Sequence, residues 1–138
     1  MQGRKRNEIL SVEELISQLD HIEIGELASD IRPNVRAELK RMKRNISAIL
    51  GFLPHVPSLE DAGNSELFKA VLEVRRDCLH INGLISKILL LQRLWLSSAR
   101  LAGLVNRVSM QYEEMGKWAG QMCQLATPGL TQELLAAL

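Results

Sequence analysis

The sequence is poor in aromatic residues, proline and cysteine, and its charges nearly cancel. Aromatic residues make up 4% of the 138 residues, and there are four prolines and two cysteines. Strand-rich domains usually carry more aromatic and β-branched residues, so this composition favours helices. With 17 Lys and Arg against 16 Asp and Glu, the net charge is +1, which argues against a protein dedicated to nucleic acids or membrane surfaces.

The chain also lacks a long hydrophobic run. Its most apolar stretch, residues 83–96, contains Lys87 and Arg93, whereas a membrane-spanning helix needs about 20 mostly apolar residues. No apolar segment follows the basic start of the chain, so we predict no secretory signal. The spacing of Cys78 and Cys123 matches neither a disulfide framework nor a zinc motif. We therefore expect a cytoplasmic protein with two reduced thiols.

Segments of helical periodicity predict an all-α protein, an antiparallel bundle or coiled coil of three to four helices. The first segment, near residues 11–30, opens with Ser11 and Glu14 at the spacing of a capping box. The second, near residues 34–53, has apolar residues at alternating steps of four and three, as in a coiled coil. These residues are Val35, Leu39, Met42, Ile46, Ile49 and Leu53.

The third segment, residues 65–122, is long enough for one long C-terminal helix or for two helices. It follows a predicted loop at residues 54–64, contains no proline and slips by one register near Leu84. An unbroken helix of this length would span about 87 Å, and Gly83, Gly103 or Gly116 could bend or end it. Periodicity alone leaves the choice between one helix and two open.

A Thr127-Pro128-Gly129 break separates a helical bundle domain, residues 1–126, from a short amphipathic tail, residues 127–138. Nine residues after the break are too few for a stable isolated helix in water. The tail is therefore either a short helix packed on the bundle or a segment that becomes ordered on a partner. Because the main apolar seams lie outside the tail, we expect the bundle to fold without it.

Charge is segregated between the first two segments. Residues 8–31 contain seven acidic residues and no Lys or Arg, whereas residues 32–44 contain six basic residues and one acid. Adjacent antiparallel helices would place these complementary flanks side by side. The basic run could instead bind phosphates, although no aromatic residue interleaves it as in single-strand binders.

No familiar catalytic or metal-binding motif is present. The patterns GxGxxG, GxxxxGK[ST], HExxH and GxSxG are all absent. His21, His55 and His80 are scattered, and Cys78 and His80 do not share a helix face. We expect a protein without an enzymatic site, a cofactor or a metal ion.

The block at residues 89–96 is the main candidate for a binding surface. It is apolar on every side except at Gln92 and Arg93, and a helix of this kind must be covered all round. The excess of apolar surface predicts a fourth helix, a homodimer face or a protein-binding site.

Two short motifs in the third segment resemble those of a known family. Asn82-Gly83-Leu84-Ile85 is similar to the Asn-x-Leu-Leu/Ile element that opens that family's last helix, and Tyr112-Glu113-Glu114-Met115-Gly116 is similar to its Tyr-x-x-x-Gly element. With its helical pattern and size, the chain resembles the flagellar export chaperones for hook–filament junction proteins, the FlgN-like family. It departs from that family at its end, which is rich in leucine where the family tail is usually polar.

The resemblance implies a cytoplasmic chaperone that holds an aggregation-prone helical segment of a hook-associated export substrate and delivers it to the export gate. Tyr112 would correspond to the tyrosine that family members present to the gate. The protein-binding residues predicted in this way are Leu89, Leu90, Leu91, Leu94, Trp95, Leu96, Leu101, Leu104, Tyr112, Leu130, Leu134, Leu135 and Leu138. The alternatives are a homo-oligomeric structural or adaptor bundle without a client, and a small nucleic-acid-binding regulator that uses the basic second helix.

Overall fold

The computed structural model describes residues 12–22, 33–56, 65–93, 98–126 and 129–138, which contain helices and no strand. The predicted all-α class is therefore confirmed for these residues. The α-helices, in chain order, are α1 (Val12–Gln18), α2 (Pro33–Phe52), α3 (Ser65–Arg93), α4 (Ser98–Ala126) and α5 (Thr131–Ala137). A 3-10 turn at Leu53–His55 extends α2.

The first helix ends earlier than periodicity predicted. Helix α1 stops at Gln18, and residues 19–22 are not helical. The side chain of Asn45 in α2 replaces the helical hydrogen bonds here, because it binds both the N–H and the C=O of Asp20, at 2.7 and 2.8 Å. The predicted cap at Ser11 and the rest of the predicted helix, residues 23–30, lie outside the described residues.

Helix α2 follows its predicted seam. The alternating steps of four and three place one side of the helix against the rest of the bundle, and all six predicted seam residues are buried. They are Val35, Leu39, Met42, Ile46, Ile49 and Leu53.

The third segment forms two helices, α3 and α4, that pack side by side as an antiparallel hairpin. Gln111 of α4 donates a hydrogen bond to Asp77 of α3, and the ammonium group of Lys69 lies 5.9 Å from the ring centroid of Trp118. Residues earlier in α3 therefore lie beside residues later in α4, so the two helices are antiparallel. Each helix contributes a buried seam with steps of four and three. The seam residues are Leu67, Val71, Val74, Cys78, Ile81, Ile85 and Ile88 in α3, and Leu101, Val105, Val108, Tyr112, Met115, Ala119 and Met122 in α4.

The hydrophobic effect explains why two helices form instead of one. A single straight helix would display both seams with no partner along its length, whereas the reversal lets each seam cover the other. The residues at the reversal, 94–97, lie outside the described part of the chain.

The C-terminal tail is a helix packed on the bundle. Gly129 has a φ angle of 108°, a left-handed conformation that glycine adopts without strain, and α5 follows it. Helix α5 packs on α4 and α1, with Leu134 and Leu138 inside the same core as the three longer helices. Of the two alternatives for the tail, the structure shows the packed helix.

One ion pair joins the first two helical segments among the described residues. Arg44 Nη2 lies 2.9 Å from Asp20 Oδ2, and the side chain of Arg44 is largely exposed while that of Asp20 is partly exposed. Arg41 pairs instead with Glu38 of its own helix. The segregated charges therefore meet at one point in the described segments.

Replacing Arg44 with Glu should lower the free energy of unfolding by about 1 kcal/mol or less, because exposed ion pairs contribute little. The loss should disappear in about 1 M NaCl, where the Debye length is about 3 Å. Urea unfolding at two salt concentrations measures it, with Lys40→Glu as the control on the same helix. A loss that persists in high salt would mean that Arg44 stabilises the fold by packing.

Candidate protein-binding site

A buried polar cluster connects α2, α4 and the segment after α1. Asn45 is completely buried, and its Nδ2 donates hydrogen bonds to the carbonyl of Asp20 and to Tyr112 Oη, both at 2.8 Å. Its Oδ1 accepts a hydrogen bond from the N–H of Asp20. One side-chain amide thus uses its acceptor and both N–H groups to fix the position of three chain segments.

Tyr112 lies inside the bundle and not on its surface. The side chain is 1% exposed, and burial raises the pKa of its hydroxyl above the usual value although the hydrogen bond from Asn45 lowers it. A tyrosine presented to an export gate needs an exposed ring, which this packing does not provide. The steps from Leu101 through Val105 and Val108 to Tyr112 are four, three and four, so the seam of α4 contains the signal for its burial.

Helix α5 approaches α4 closely beside Tyr112. A Cβ atom on Gly120 would lie 3.2 Å from Leu135 Cδ2, and one on Gly116 would lie 3.7 Å from Leu138 Cδ1. Glycine at position 120 therefore permits the helices to come this close. Helix α5 is also bound to the segment after α1, because His21 Nδ1 donates a hydrogen bond, 3.2 Å long, to the carbonyl of Ala136.

The structure does not gather the predicted protein-binding residues into one exposed face. Four are buried: Leu101, Tyr112, Leu134 and Leu138. Four are half-buried: Leu89, Leu91, Leu104 and Leu130. Leu90 and Leu135 are exposed but belong to different helices, α3 and α5, while Leu94, Trp95 and Leu96 lie outside the described residues. Among the described residues, these side chains therefore do not form one continuous exposed surface, because seam packing and α5 cover many of them.

An apolar groove between α2 and α3 was not identified from the sequence. Its volume is about 440 Å³, and its lining residues are Leu50, Leu53, Pro54, Val71, Leu72, Arg75 and Leu79. Leu72 and Leu79 are 46% and 54% exposed, and Phe68, on the same side of α3, is 42% exposed. These residues lie one position beyond the buried seam residues Leu67, Val71 and Cys78, which is the signal that the sequence contained.

The shape of this groove is suited to binding a helix. Single exposed apolar side chains are common on soluble proteins, but here three lie along one stripe of α3, and two of them, Leu72 and Leu79, line a concave apolar surface. An amphipathic helix binds such a groove through apolar side chains spaced three and four residues apart.

The described residues contain no group of three or more His, Cys, Asp or Glu side chains that could hold a metal ion. In the same residues, no helix is both long and apolar enough to span a membrane.

Cys78 and Cys123 are free and buried. Burial raises the pKa of Cys78 to about 12, with a smaller contribution from the carboxylate of Asp77, and raises that of Cys123 to about 11.

Asp77 is a buried carboxylate between α3 and α4. Its Oδ1 accepts a hydrogen bond from Gln111, while its buried Oδ2 has no hydrogen-bond partner among the described residues. Burial raises the pKa of this carboxyl group, and the hydrogen bond from Gln111 and the charge of Arg76 oppose that shift. A buried carboxylate with one unpaired oxygen costs stability.

Asp77→Asn should raise the free energy of unfolding near neutral pH by about 1 kcal/mol, because a neutral amide is easier to bury. The folded-state pKa of Asp77 is above its unfolded value, so the native protein gains stability as the pH falls through the folded pKa towards the unfolded one. The advantage of Asp77→Asn should therefore shrink on acidification towards the unfolded-state pKa, as urea unfolding at about pH 7 and about pH 4 would show. Glu113→Gln, on the exposed side of α4, is the control, and a constant advantage would contradict the assignment.

Comparison of the chain with protein-family models, curated proteins and solved structures gave no match. The groove between α2 and α3 and the charges around it therefore provide the physical basis for a functional proposal.

Proposed function

We propose that this protein binds a helical segment of another protein in the groove between α2 and α3. The observation that carries the proposal is the exposed stripe of Phe68, Leu72 and Leu79 beside a concave apolar surface. Full burial of one such side chain contributes about 1.5–3 kcal/mol. A partner helix with apolar anchors at helical spacing would remove this surface from water while its polar side faces solvent.

A chaperone for export substrates is the role we propose, since the sequence resembles the FlgN-like family. The client would be an aggregation-prone helical segment of a hook-associated protein, which the bundle shields in the cytoplasm and delivers to the export gate. Because Tyr112 lies inside the bundle, we do not propose it as the contact with the export gate. We assign client binding to the groove. The ordering of a mobile client segment would offset part of the binding free energy, so the complex would be reversible.

The test is binding of a purified hook-associated export substrate encoded by the same genome. The paired substitution Leu72→Glu with Leu79→Glu should weaken binding by about tenfold or more, because each places a charge against apolar surface. Met110→Glu is the matched control, since Met110 is 65% exposed on α4 and lies outside the groove. Circular dichroism should show the same helix content in all three proteins.

Two outcomes would contradict the proposal. Equal binding by the groove variant and the Met110 control would place the client elsewhere. A wild-type homodimer that becomes monomeric in the groove variant would show that a second copy occupies the groove, which light scattering detects.

A further inference from the structure

We infer that the partner of the groove is an amphipathic helix with a row of acidic residues beyond its apolar anchors, and this inference rests on the proposed function. The groove forms the apolar end of a longer surface between α2 and α3. The surface that continues from it is basic, with no acidic residue on the described sides of α2 and α3 that form it.

Helix α2 supplies the basic part. Arg36, Lys40 and Lys43 lie on the same side of the helix as the groove residues Leu50 and Pro54, because these positions differ by steps of four, three, seven and four. Lys43 lies seven residues before Leu50, which corresponds to about 10 Å along the axis. The basic residues therefore extend the groove instead of facing away from it.

A contact with α3 shows that this side of α2 belongs to the surface that contains the groove. Lys43 Nζ donates a hydrogen bond, 3.0 Å long, to Ser86 Oγ of α3. Ser86 lies seven residues after Leu79, on the stripe that carries Leu72 and Arg75. Since α2 and α3 are antiparallel, the surface runs from an apolar end near Pro54 and Leu72 to a basic end near Lys40 and Ser86.

The positive charges on this surface are not neutralised by the described residues. Arg36, Lys40 and Arg75 are exposed, and none of them forms an ion pair within the described part of the chain. The nearby acids Glu38 and Glu73 pair with Arg41 and Arg76, on other sides of their helices. A partner with acidic groups near Arg36 and Lys40 would gain electrostatic complementarity at the basic end, which governs specificity and the rate of association.

Shape and length define the partner further. From Arg36 to Pro54 the surface extends about 27 Å, the length of a helix of about 18 residues. A flat membrane cannot enter the concave apolar end. A nucleic acid would gain favourable electrostatic interactions at the basic end. It would also place charged phosphates against Leu72 and Leu79, where the phosphates would lose hydration.

Three synthetic peptides of about 18 residues test the inference. All carry the same leucine-bearing half, and the other half displays Glu, Gln or Lys on the side that faces the protein. Fluorescence anisotropy should give the tightest binding for the Glu peptide and the weakest for the Lys peptide, about tenfold or more apart in about 0.05 M NaCl. The gap should narrow in about 0.5 M NaCl, because salt screens exposed charges.

Matched variants separate the charges from the groove. Arg36→Gln with Lys40→Gln should weaken binding of the Glu peptide to the level of the Gln peptide and leave the Gln peptide unaffected. Arg107→Gln with Lys117→Gln, a pair of exposed cations on α4, should change neither. Leu72→Glu with Leu79→Glu should abolish binding of all three peptides.

Three other results would contradict the acidic partner or the groove function. If the three peptides bind equally and the leucine variant abolishes binding, the acidic partner is wrong and the groove function stands. If the leucine variant leaves peptide binding unchanged, the groove function itself is wrong. If a 20-nucleotide oligonucleotide binds, depends on Arg36 and Lys40 and is indifferent to Leu72 and Leu79, the basic end is a nucleic-acid site and the inference fails.

Discussion

Leu134→Ala is expected to lower the free energy of unfolding by about 2–5 kcal/mol, the usual range for a buried leucine. Leu134 has no exposed surface and lies in α5, which packs on α4 and α1. Alanine would leave a cavity between these helices that only partial relaxation could fill. Urea unfolding followed by circular dichroism measures the loss.

The next residue along the same helix is the control. Leu135 is 48% exposed, so Leu135→Ala should cost about 1 kcal/mol or less. A chain lacking residues 129–138 should also be less stable than the full chain, in contrast to the expectation from the seams alone. Equal stabilities for Leu134→Ala and the wild type would show that α5 does not belong to the cooperative fold.

Asn45→Ala is expected to destabilise the fold by about 2–4 kcal/mol, because it leaves several polar groups without partners. The N–H and C=O of Asp20 and the hydroxyl of Tyr112 all bind this one amide. Water can reach the partly buried groups of Asp20, which limits the cost at that end. The segment after α1 should also exchange its amide protons faster in Asn45→Ala, since the amide holds it against α2.

Tyr112→Phe distinguishes the tyrosine bond from the rest of the cluster. It removes one hydrogen bond of Asn45 and retains the aromatic ring, so it should cost about 1 kcal/mol. The double variant should lose less than the sum of the two single variants, because both remove the same bond. Additive losses would mean that Asn45 and Tyr112 stabilise the fold independently.

The periodic spacing of apolar residues predicted the helices and their buried sides well where the period was long and regular. The α2 seam from Val35 to Leu53 and the α3 seam from Leu67 to Ile88 are both buried as the pattern indicates. A regular period identifies which side of a helix is apolar, and this side must be covered by something. Prediction was poorer for α1, where a side chain 25 positions away ends the helical hydrogen bonding.

The candidate site was harder to predict than the helices. The apolar block near Leu89 is continuous in the sequence and was therefore predicted as a binding surface, whereas the groove is formed by residues from two helices. In the sequence, Leu72 and Leu79 are ordinary flanks of a seam, and only the fold places the end of α2 beside them. A groove needs the relative position of two helices, and local spacing contains no such information.

By itself, the sequence determined that this protein is helical, which side of α2 and α3 is apolar, and where basic and acidic residues are concentrated. Only the tertiary structure decided that the third segment reverses direction, that Tyr112 is inside and that α5 belongs to the core. The physical reason is that the hydrophobic effect has no direction: an apolar side must be covered, but its partner is selected by packing. Specific contacts such as the bond from Asn45 to Tyr112, 67 positions away, exist only once that packing has formed.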